Sequence, residues 1–271
     1  MFAYPDRTLG GTLSAGAWQE NLSLDNLKDP LVSAVARSTD ALAASTQFKI
    51  DYGVARDIRF AAIIGHNAGT AATCRFRWYS DAAYTQLVKD SGTLPFYPPY
   101  YPDGTYLSAE DAEVYHPDLT YIAAAQFSAR YCLVEIVDTA NTAGYFQLGR
   151  CITAPCWSPG AGFSRGDTLG FATGTTVSRS LGGVDYFDEQ PKRKVSTVKF
   201  DHLTLAEGMT HAWEMDRRLD VSGEVYFIYD SDDTFLLYRQ RSMLCRMREL
   251  TPLEDPYLNG TAKSYNLEEI I

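Results

Sequence analysis

Short runs of aromatic and β-branched residues, separated by glycine, proline, asparagine and aspartate, recur along almost the whole chain. They occupy residues 47–53, 58–65, 73–80, 131–138, 143–151, 174–180, 194–205, 224–230 and 234–241. Such runs between turn-forming residues are typical of β-strands. Helical periodicity is weak: the best candidate covers residues 206–221, and residues 29–38 add a turn or two. The sequence therefore predicts a mainly β chain of two β-sandwich- or jelly-roll-like modules with long loops, few short helices and extended termini.

The composition excludes several classes of partner. The 271 residues carry a formal net charge of -10, and the only basic cluster is "PKRKV" at residues 191–195. An acidic chain with dispersed cations is a poor nucleic-acid ligand, so we expect no nucleic-acid partner. No run approaches the ~18 apolar residues of a membrane-spanning helix, and the first residues do not show a secretory signal. We therefore expect no membrane insertion.

The chain divides by composition into two β modules. Residues 151–174 are rich in glycine, proline and serine and are predicted to form a connector or a long loop. Residues 91–118 form a second long loop rich in proline and tyrosine, and loops of this length are usually functional or interfacial. The weakly patterned ends either lie on neighbouring subunits or fray. The predicted organisation is an N-terminal arm (1–19), a β-sandwich (20–152), a second β module with one short helix (153–251) and a C-terminal arm (252–271).

No catalytic constellation emerges from the motifs. Residues 162–166, "GFSRG", have the Gly-x-Ser-x-Gly spacing, but they follow "APCWSP" rather than a predicted strand and no predicted helix follows them, so the context of a nucleophile elbow is missing. The four histidines show no zinc-protease spacing: His66, His116, His202 and His211. The acidic cluster at residues 230–233 lies between two predicted strands and lacks the glycine and closing glutamate of a calcium loop, so a hairpin turn is favoured. We expect no enzyme activity and no cofactor.

The five cysteines do not indicate a disulfide framework, because their number is odd and no secretory signal accompanies them. Cys151 and Cys156 match neither a redox pair nor a zinc knuckle. Cys74 and Cys132 fall within predicted strands, where buried thiols act as small hydrophobic residues. A metal or iron–sulfur site built from scattered cysteines stays open at this point.

His66 and Asn67 lie together in "FAAIIGHNAGTAATCRFRWYSD", between two predicted strands. The pair is either part of a site or part of the connection between the strands. Asparagine and glycine suit turn geometry, so a structural turn is favoured, with the His66 ring bonded to a neighbouring loop. On this interpretation His66→Ala lowers stability or assembly and abolishes no reaction.

The strand order "QFKIDYG", "IRFAAIIGHN", "TCRFRWYSD", closed by "RYCLVEIVDTANTAGYFQLGRC", resembles discoidin-type, galactose-binding-like jelly rolls over roughly residues 20 to 152. Such jelly rolls often bind sugars through edge loops, although a fold alone does not give a function. One candidate function is therefore a carbohydrate-binding module for host-surface glycans. Its stacking platforms, which are equally candidate subunit contacts, are Trp78, Tyr97, Tyr100 and Tyr101.

A narrower resemblance covers more of the chain. "NLSLDNLKDPLVSAVARSTDALAASTQFKID", "GHNAGTAATCRFRWYSD" and "SRSLGGVDYFDEQPKRKVSTVKFDHLTLAEG" look like distal-tail-like or minor tail proteins of the tail tip or baseplate of long-tailed bacteriophages. In such proteins a β core module forms a ring and an appended jelly roll faces outward. The resemblance implies a structural virion protein, made in the host cytoplasm, that assembles as a symmetric homo-oligomer and connects other tail proteins. This is the leading hypothesis, with the carbohydrate-binding module as its alternative.

Overall fold

The computed structural model describes residues 1–99, 105–106, 118–164, 166–257 and 260–270. The prediction of a mainly β chain with antiparallel sheets and short helices is confirmed, with 46% strand and 15% helix. The chain divides into two compact units. The sandwich unit comprises Ala3–Cys156 and Ile228–Gln240, and the terminal unit comprises Met1–Phe2, Trp157–Phe227 and Arg241–Ile271.

The strands of the described residues are, in chain order, β1 (Phe2–Ala3), β2 (Thr12–Ser14), β3 (Ala36–Arg37), β4 (Phe48–Ile64), β5 (Thr73–Tyr79), β6 (Leu87–Asp90), β7 (Leu94–Pro95), β8 (Leu119–Val137), β9 (Gln147–Leu148), β10 (Arg150–Ala154), β11 (Cys156–Trp157), β12 (Thr168–Ala172), β13 (Thr176–Arg179), β14 (Asp185–Asp188), β15 (Arg193–Thr204), β16 (Glu224–Phe227), β17 (Met243–Glu249), β18 (Glu254–Tyr257) and β19 (Gly260–Glu269). The α-helices are α1 (Ala43–Thr46), α2 (Leu205–Glu207), α3 (Trp213–Leu219) and α4 (Phe235–Arg241). A π-helical turn, Gly208–Ala212, joins α2 to α3, and 3₁₀ turns cover Thr8–Gly10, Glu20–Leu22 and Leu24–Lys28.

The sandwich unit is organised by its two longest strands, β4 and β8, which pair antiparallel from Phe48↔Val134 to Ile63↔Leu119. Their register shifts twice, between Asp51 and Arg56 and between Ile58 and Phe60. Bulges of this kind bend strands. Along β4, the strand order before the shifts is β2-β4-β8-β5-β6, and the strand order after the shifts is β10-β4-β8. The same two strands therefore supply both layers.

The two layers share one hydrophobic core. Phe48, Phe76 and Val134 come from the layer that contains β5, and Ile63 and Cys151 come from the layer that contains β10. All five belong to the same buried cluster. Burial of the intervening apolar surface is the main stabilising term for such an arrangement, at about 25 cal/mol per Å². The layers therefore face each other, and the β-sandwich predicted for this part of the chain is confirmed.

The terminal unit is built on a sheet with the strand order β11-β1-β16-β17-β19-β15-β12, and β18 pairs with β19. The predicted helix at residues 206–221 is found as α2, the π-helical turn and α3. It begins with a capping box, in which the Thr204 hydroxyl accepts from the Glu207 N–H and the Glu207 carboxylate accepts from the Thr204 N–H. The helix packs close to β19, since a Cβ on Gly208 would lie 2.3 Å from the Thr261 hydroxyl oxygen.

The predicted arms at both chain ends are wrong. At the N-terminus, Phe2 is fully buried and stacks on Trp157 at 5.5 Å, and β2 pairs with β4. At the C-terminus, β19 lies between β15 and β17, with Lys263, Tyr265 and other alternate residues buried. Because threonine and lysine occupy inward positions, "TAKSYNL" does not show the apolar–polar alternation that would predict a strand.

Two short elements also differ from the prediction. Residues 234–241 were expected to form a strand, but α4 covers Phe235–Arg241, and the Tyr238 N–H donates to the Thr234 carbonyl at 2.8 Å. A run of four apolar residues has the same appearance in a strand and in a helix. The helical turn expected within residues 29–38 is absent from these described residues, which form turns and β3. The hairpin turn predicted at residues 230–233 is therefore wrong: the chain does turn there, with the Asp232 N–H donating to the Asp230 carboxylate, but the turn leads from β16 to a helix and joins no second strand.

A buried carboxylate ties the first residues to β10. Asp6 accepts hydrogen bonds from the N–H groups of Thr8 at 2.8 Å and Thr153 at 3.3 Å, and lies 3.6 Å from the buried Arg150 guanidinium. Burial raises the pKa of Asp6 to about 6, although the Thr8 N–H and Arg150 oppose the shift. Asp6 is therefore half-protonated in mildly acidic solution.

Protonation of Asp6 is expected to stabilise the sandwich unit as the pH falls. Because the folded pKa of about 6 lies above the unfolded value of 3.8, the folded state binds the proton more tightly, and the free energy of unfolding gains about 1 kcal/mol from this group between pH 7 and pH 5. Urea unfolding of the unit, followed through amide signals of β10, measures the gain in wild type and in Asp6→Asn. Asp6→Asn should lose the gain, while the exposed Asp25→Asn should keep it. An unchanged pH dependence in Asp6→Asn would contradict the assignment.

Candidate functional site

His66 lies in the loop that follows β4, and its side chain is buried. Its Nδ1 accepts a hydrogen bond from the Ala68 N–H at 3.2 Å. The ring packs edge-on against Phe96 at 4.5 Å and Tyr97 at 6.1 Å. A buried imidazole enclosed by two aromatic rings and bonded to its own loop serves the packing of that loop, and this arrangement supports the structural role predicted for His66.

Asn67 links the same loop to the segment between β8 and β10. Its side-chain amide donates to the Tyr145 carbonyl at 3.1 Å and accepts from the Gln147 N–H at 2.8 Å. Its own carbonyl accepts from Asn141, which also donates to the buried Asp138 carboxylate. The Gly69 N–H donates to that carboxylate at 3.0 Å. These polar groups therefore bond to one another across two loops.

Trp78 is not available as a stacking platform, because it is fully buried in the sandwich core. Its ring stacks on Phe76 and on Tyr121, each at 5.7 Å, and meets Phe127 edge-on at 5.1 Å. The prediction that Trp78 contacts a sugar or a subunit is wrong, since β5 alternates and places Trp78 on the same inward face as Phe76.

Tyr97 is also buried, with 4% of its surface exposed. Burial raises the pKa of its hydroxyl, the Asp138 carboxylate raises it further, and Arg239 opposes the shift. Its ring packs on His66, so the prediction of a sugar or subunit contact is wrong here too. Tyr100, Tyr101 and His116 lie outside the described residues.

All five cysteines are free thiols, and four of them are buried. Burial raises the pKa of Cys74 and Cys132 well above the ordinary thiol value, and that of the less buried Cys156 to about 12. Such thiols are weak nucleophiles at neutral pH. Within the part of the chain that the structure describes, no three histidine, cysteine or carboxylate side chains are arranged to hold a metal ion.

The most unusual surface belongs to β13 and β14, which form a hairpin that pairs with no other strand among the described residues. All eight strand residues are exposed. Gly183, at φ +82°, forms the turn and donates to the Ser180 carbonyl at 2.9 Å. A two-stranded hairpin is at best marginally stable alone in water. We call residues 176–188 the distal hairpin.

The distal hairpin carries apolar side chains on both faces. Val177 and Phe187 are cross-strand partners and share one face, whereas Tyr186 opposes Ser178 on the other. Val177 and Phe187 are 59% and 63% exposed, and Leu181 at the turn is completely exposed. Exposed apolar side chains on both faces of one hairpin distinguish this segment from the scattered single exposures that are normal on a protein surface.

The distal hairpin continues a ribbon that begins inside the sheet of the terminal unit. β12 pairs with β15 up to Ala172↔Arg193, and the hairpin pairing starts at Thr176↔Asp188. Between the two, the Gln190 N–H donates to the Thr175 hydroxyl at 3.2 Å. β12 is the last strand of its sheet and exposes Leu169 and Phe171. The apolar exposure therefore runs from the sheet edge to the hairpin tip.

Sequence reasoning predicted a strand at residues 174–180 but not the exposure of this ribbon. A usable signal was present. In "TTVSRSLGGVDYFD" a Gly-Gly turn joins two strands. Apolar residues occupy both odd and even positions of these strands, so both faces of the hairpin carry apolar side chains. A hairpin of this kind needs further strands or another partner to bury both faces. No described helix is long and apolar enough to cross a membrane.

Asn67→Ala is expected to destabilise the sandwich unit by about 2 to 3 kcal/mol, because it leaves the Tyr145 carbonyl and the Gln147 N–H without their partner in a partly buried loop. Thermal or urea unfolding measures the loss. The exposed Asn21→Ala should change stability by less than about 0.5 kcal/mol. Equal effects of the two substitutions would show that the Asn67 hydrogen bonds do not contribute to the free energy of unfolding.

Neither a protein-family model nor a curated protein matches the chain. Among solved structures it is similar to SpGH29, with 14% identity and a TM-score of 0.39 over 57% of this chain and 28% of that one. It is also similar to the family 32 CBM from C. perfringens NanJ in complex with galactose, with 12% identity and a TM-score of 0.40 over 56% and 98% of the two chains. A fucose binding module of Streptococcus pneumoniae gives 10% identity and a TM-score of 0.38 over 56% and 96%. At these values the likenesses carry no argument about this chain, and the resemblance to phage tail proteins stays a prediction.

Proposed function

We propose that this chain is a structural subunit that assembles with copies of itself through the terminal unit. The observation that supports the proposal is the distal hairpin, whose apolar side chains face solvent on both sides in the single chain. Aromatic side chains such as Tyr186 and Phe187 are enriched at protein interfaces. Closed rotational symmetry is the usual outcome for soluble homo-oligomers.

The finer form of the proposal is a virion protein of the tail tip or baseplate of a long-tailed bacteriophage, made in the host cytoplasm and in contact with other tail proteins. This part rests on the sequence resemblance alone. No catalytic role is proposed, because the His66 and Asn67 side chains bond to backbone groups of Ala68, Tyr145 and Gln147, and four of the five thiols are buried. No cofactor is proposed either.

The alternative function is glycan binding by the sandwich unit, for which four aromatic side chains were predicted to stack on sugar rings. Trp78 and Tyr97 are buried, so the alternative now depends on Tyr100 and Tyr101. A glycan array separates the candidates. Saturable binding that is lost in Tyr100→Ala/Tyr101→Ala would favour the alternative, and an oligomer that binds no glycan would leave the structural role.

The purified chain is expected to form an oligomer whose mass is two or more times the mass of one chain, measured by light scattering on a size-exclusion column. Val177→Lys/Phe187→Asp places an opposite-charge cross-strand pair on one hairpin face, which preserves the pairing, and should weaken self-association about tenfold or more, since charges are depleted from interface cores. The double variant should keep the wild-type circular dichroism, because both residues are exposed.

Leu31→Asp changes an equally exposed leucine of the sandwich unit and serves as the control. It should retain the wild-type mass. A wild-type chain that stays monomeric at every concentration would overturn the proposed function.

A further inference from the structure

The strand β12 forms one edge of the sheet of the terminal unit, and no strand of the described residues lies on its other side. β12 pairs with β15 over five consecutive residues, from Thr168↔Thr197 to Ala172↔Arg193, without a bulge. A regular edge strand presents a row of backbone N–H and C=O groups that a further strand can extend. The backbone of this edge therefore suits an extended strand as its partner.

β12 also lacks the features that usually keep an edge strand unpaired. Such strands carry a lysine, a proline or a bulge, or they are very short. The sequence of β12 is "TLGFA", and its register with β15 is regular. At the other end of the same sheet, β11 is only two residues long. β12 is therefore the edge at which this sheet can gain a strand.

The apolar side of the sheet continues to this edge and is uncovered there. A row of directly opposite residues crosses four strands: Met247, Leu267, Ser196 and Leu169. The first three are at most 5% exposed, whereas Leu169 is 50% exposed. Phe171 lies two residues further along the same side of β12 and is 70% exposed. A strand that covers this edge must therefore bring apolar side chains on the same side.

We propose that β12 of one copy pairs antiparallel with β12 of a second copy, about a two-fold axis at Gly170. The proposal rests on the self-assembly proposed above and names one of its contacts, at the sheet edge from which the distal hairpin extends. The contact joins the two sheets edge to edge. It is isologous, because both copies contribute the same strand.

The sequence of β12 selects this register. Opposite residues in a sheet point to the same face, so a two-fold axis normal to the sheet passes between two residues of the same number. With the axis at Gly170, each Leu169 lies opposite Phe171 of the partner subunit, and the four exposed side chains form two apolar cross-strand pairs. An axis at Leu169 would place Phe171 opposite Asp167 of the partner subunit. An axis at Phe171 would place Leu169 opposite Thr173 of the partner subunit.

Gly170 itself is not required by the single chain. Its φ lies outside the left-handed region, and an added Cβ would meet only a Val195 methyl group at 4.0 Å. Glycine inside a strand often marks a place where another backbone approaches closely. The proposed axis puts the closest approach of the two copies at this residue.

Charge neither selects nor opposes the pairing. Residues 168–172 are uncharged. The two basic residues that lie opposite them on β15, Arg193 and Lys194, form ion pairs with Glu268 and Glu269 of β19. The proposed contact therefore brings no like charges directly opposite each other along β12.

A cysteine scan of β12 tests the register. Residue 170 lies opposite itself, so Gly170→Cys should give a disulfide-linked dimer on a non-reducing gel after mild oxidation. Thr168→Cys and Ala172→Cys are the matched controls, because each would lie four residues, about 13 Å, from its own copy along the strand direction. That separation is beyond the reach of a disulfide. The wild-type chain should give no dimer, since four of its five thiols are buried.

Two results of the scan would overturn the proposal. One is the absence of a disulfide-linked dimer from Gly170→Cys. The other is an equal yield of dimer from all three variants, which would show that β12 does not pair in a fixed register.

Charged pairs give an independent measurement. Leu169→Glu/Phe171→Glu places carboxylates opposite each other in both cross-strand pairs, and like charges there oppose pairing. Leu169→Lys/Phe171→Glu gives the same two pairs opposite charges. Both variants carry the Phe171→Glu change, which faces Lys194 within the chain, so the pairing of β12 with β15 is matched. In analytical ultracentrifugation the first variant should self-associate about tenfold more weakly than wild type, and the second should regain most of that loss.

The outcomes separate this contact from the assembly on which it rests. A wild-type chain that stays monomeric at every concentration overturns both. A wild-type chain that assembles, together with two charge variants that assemble equally well, overturns the β12 pairing alone and leaves the distal hairpin as the assembling surface. Leu31→Asp, an exposed position of the sandwich unit, again serves as the control and should keep the wild-type mass.

Discussion

The pairing of β4 with β8 is the contact on which the sandwich unit depends, because each strand runs through both of its layers. The register shifts let one pair of strands supply two facing surfaces. The ends of the same pair also position the loops. The loop of His66 begins where β4 ends, and Asp138 follows the end of β8, so the residues that bond across these loops are brought together by the strands that carry them.

The two units differ in how completely their side chains are satisfied. In the sandwich unit Asn67, Asp138 and Asn141 are joined by hydrogen bonds, and the apolar side chains that remain exposed, such as Leu31 and Leu42, do not lie on an unpaired hairpin. In the terminal unit apolar side chains remain exposed on the distal hairpin and on the helix. Because exposed apolar surface is a liability in an isolated chain, the proposed self-assembly is assigned to the terminal unit.

Several features were within reach of the sequence. The strand positions followed from apolar runs between turn residues. The start of the helix of the terminal unit was also readable, although it was not used, from the capping-box residues Thr204 and Glu207, which lie three residues apart. The burial of Trp78 was also readable, since Arg75 and Arg77 alternate with Cys74, Phe76 and Trp78 in "TCRFRWY". Other features depended on tertiary contacts. Tyr97 is covered by a loop that is distant in sequence. The burial of β19 could not be predicted, because Lys263 is buried only through acceptors that come from α3 and residue 251.

The measurement that tests the central claim most directly is amide hydrogen exchange of the distal hairpin at increasing protein concentration. In the single chain the hairpin is exposed and pairs with no other described strand, so its amides should exchange rapidly in dilute solution. If the chain assembles through this surface, the amides of residues 176–188 should become protected as the concentration rises, while those of β5 in the sandwich core stay protected throughout. Hairpin exchange that remains fast at every concentration would contradict the account.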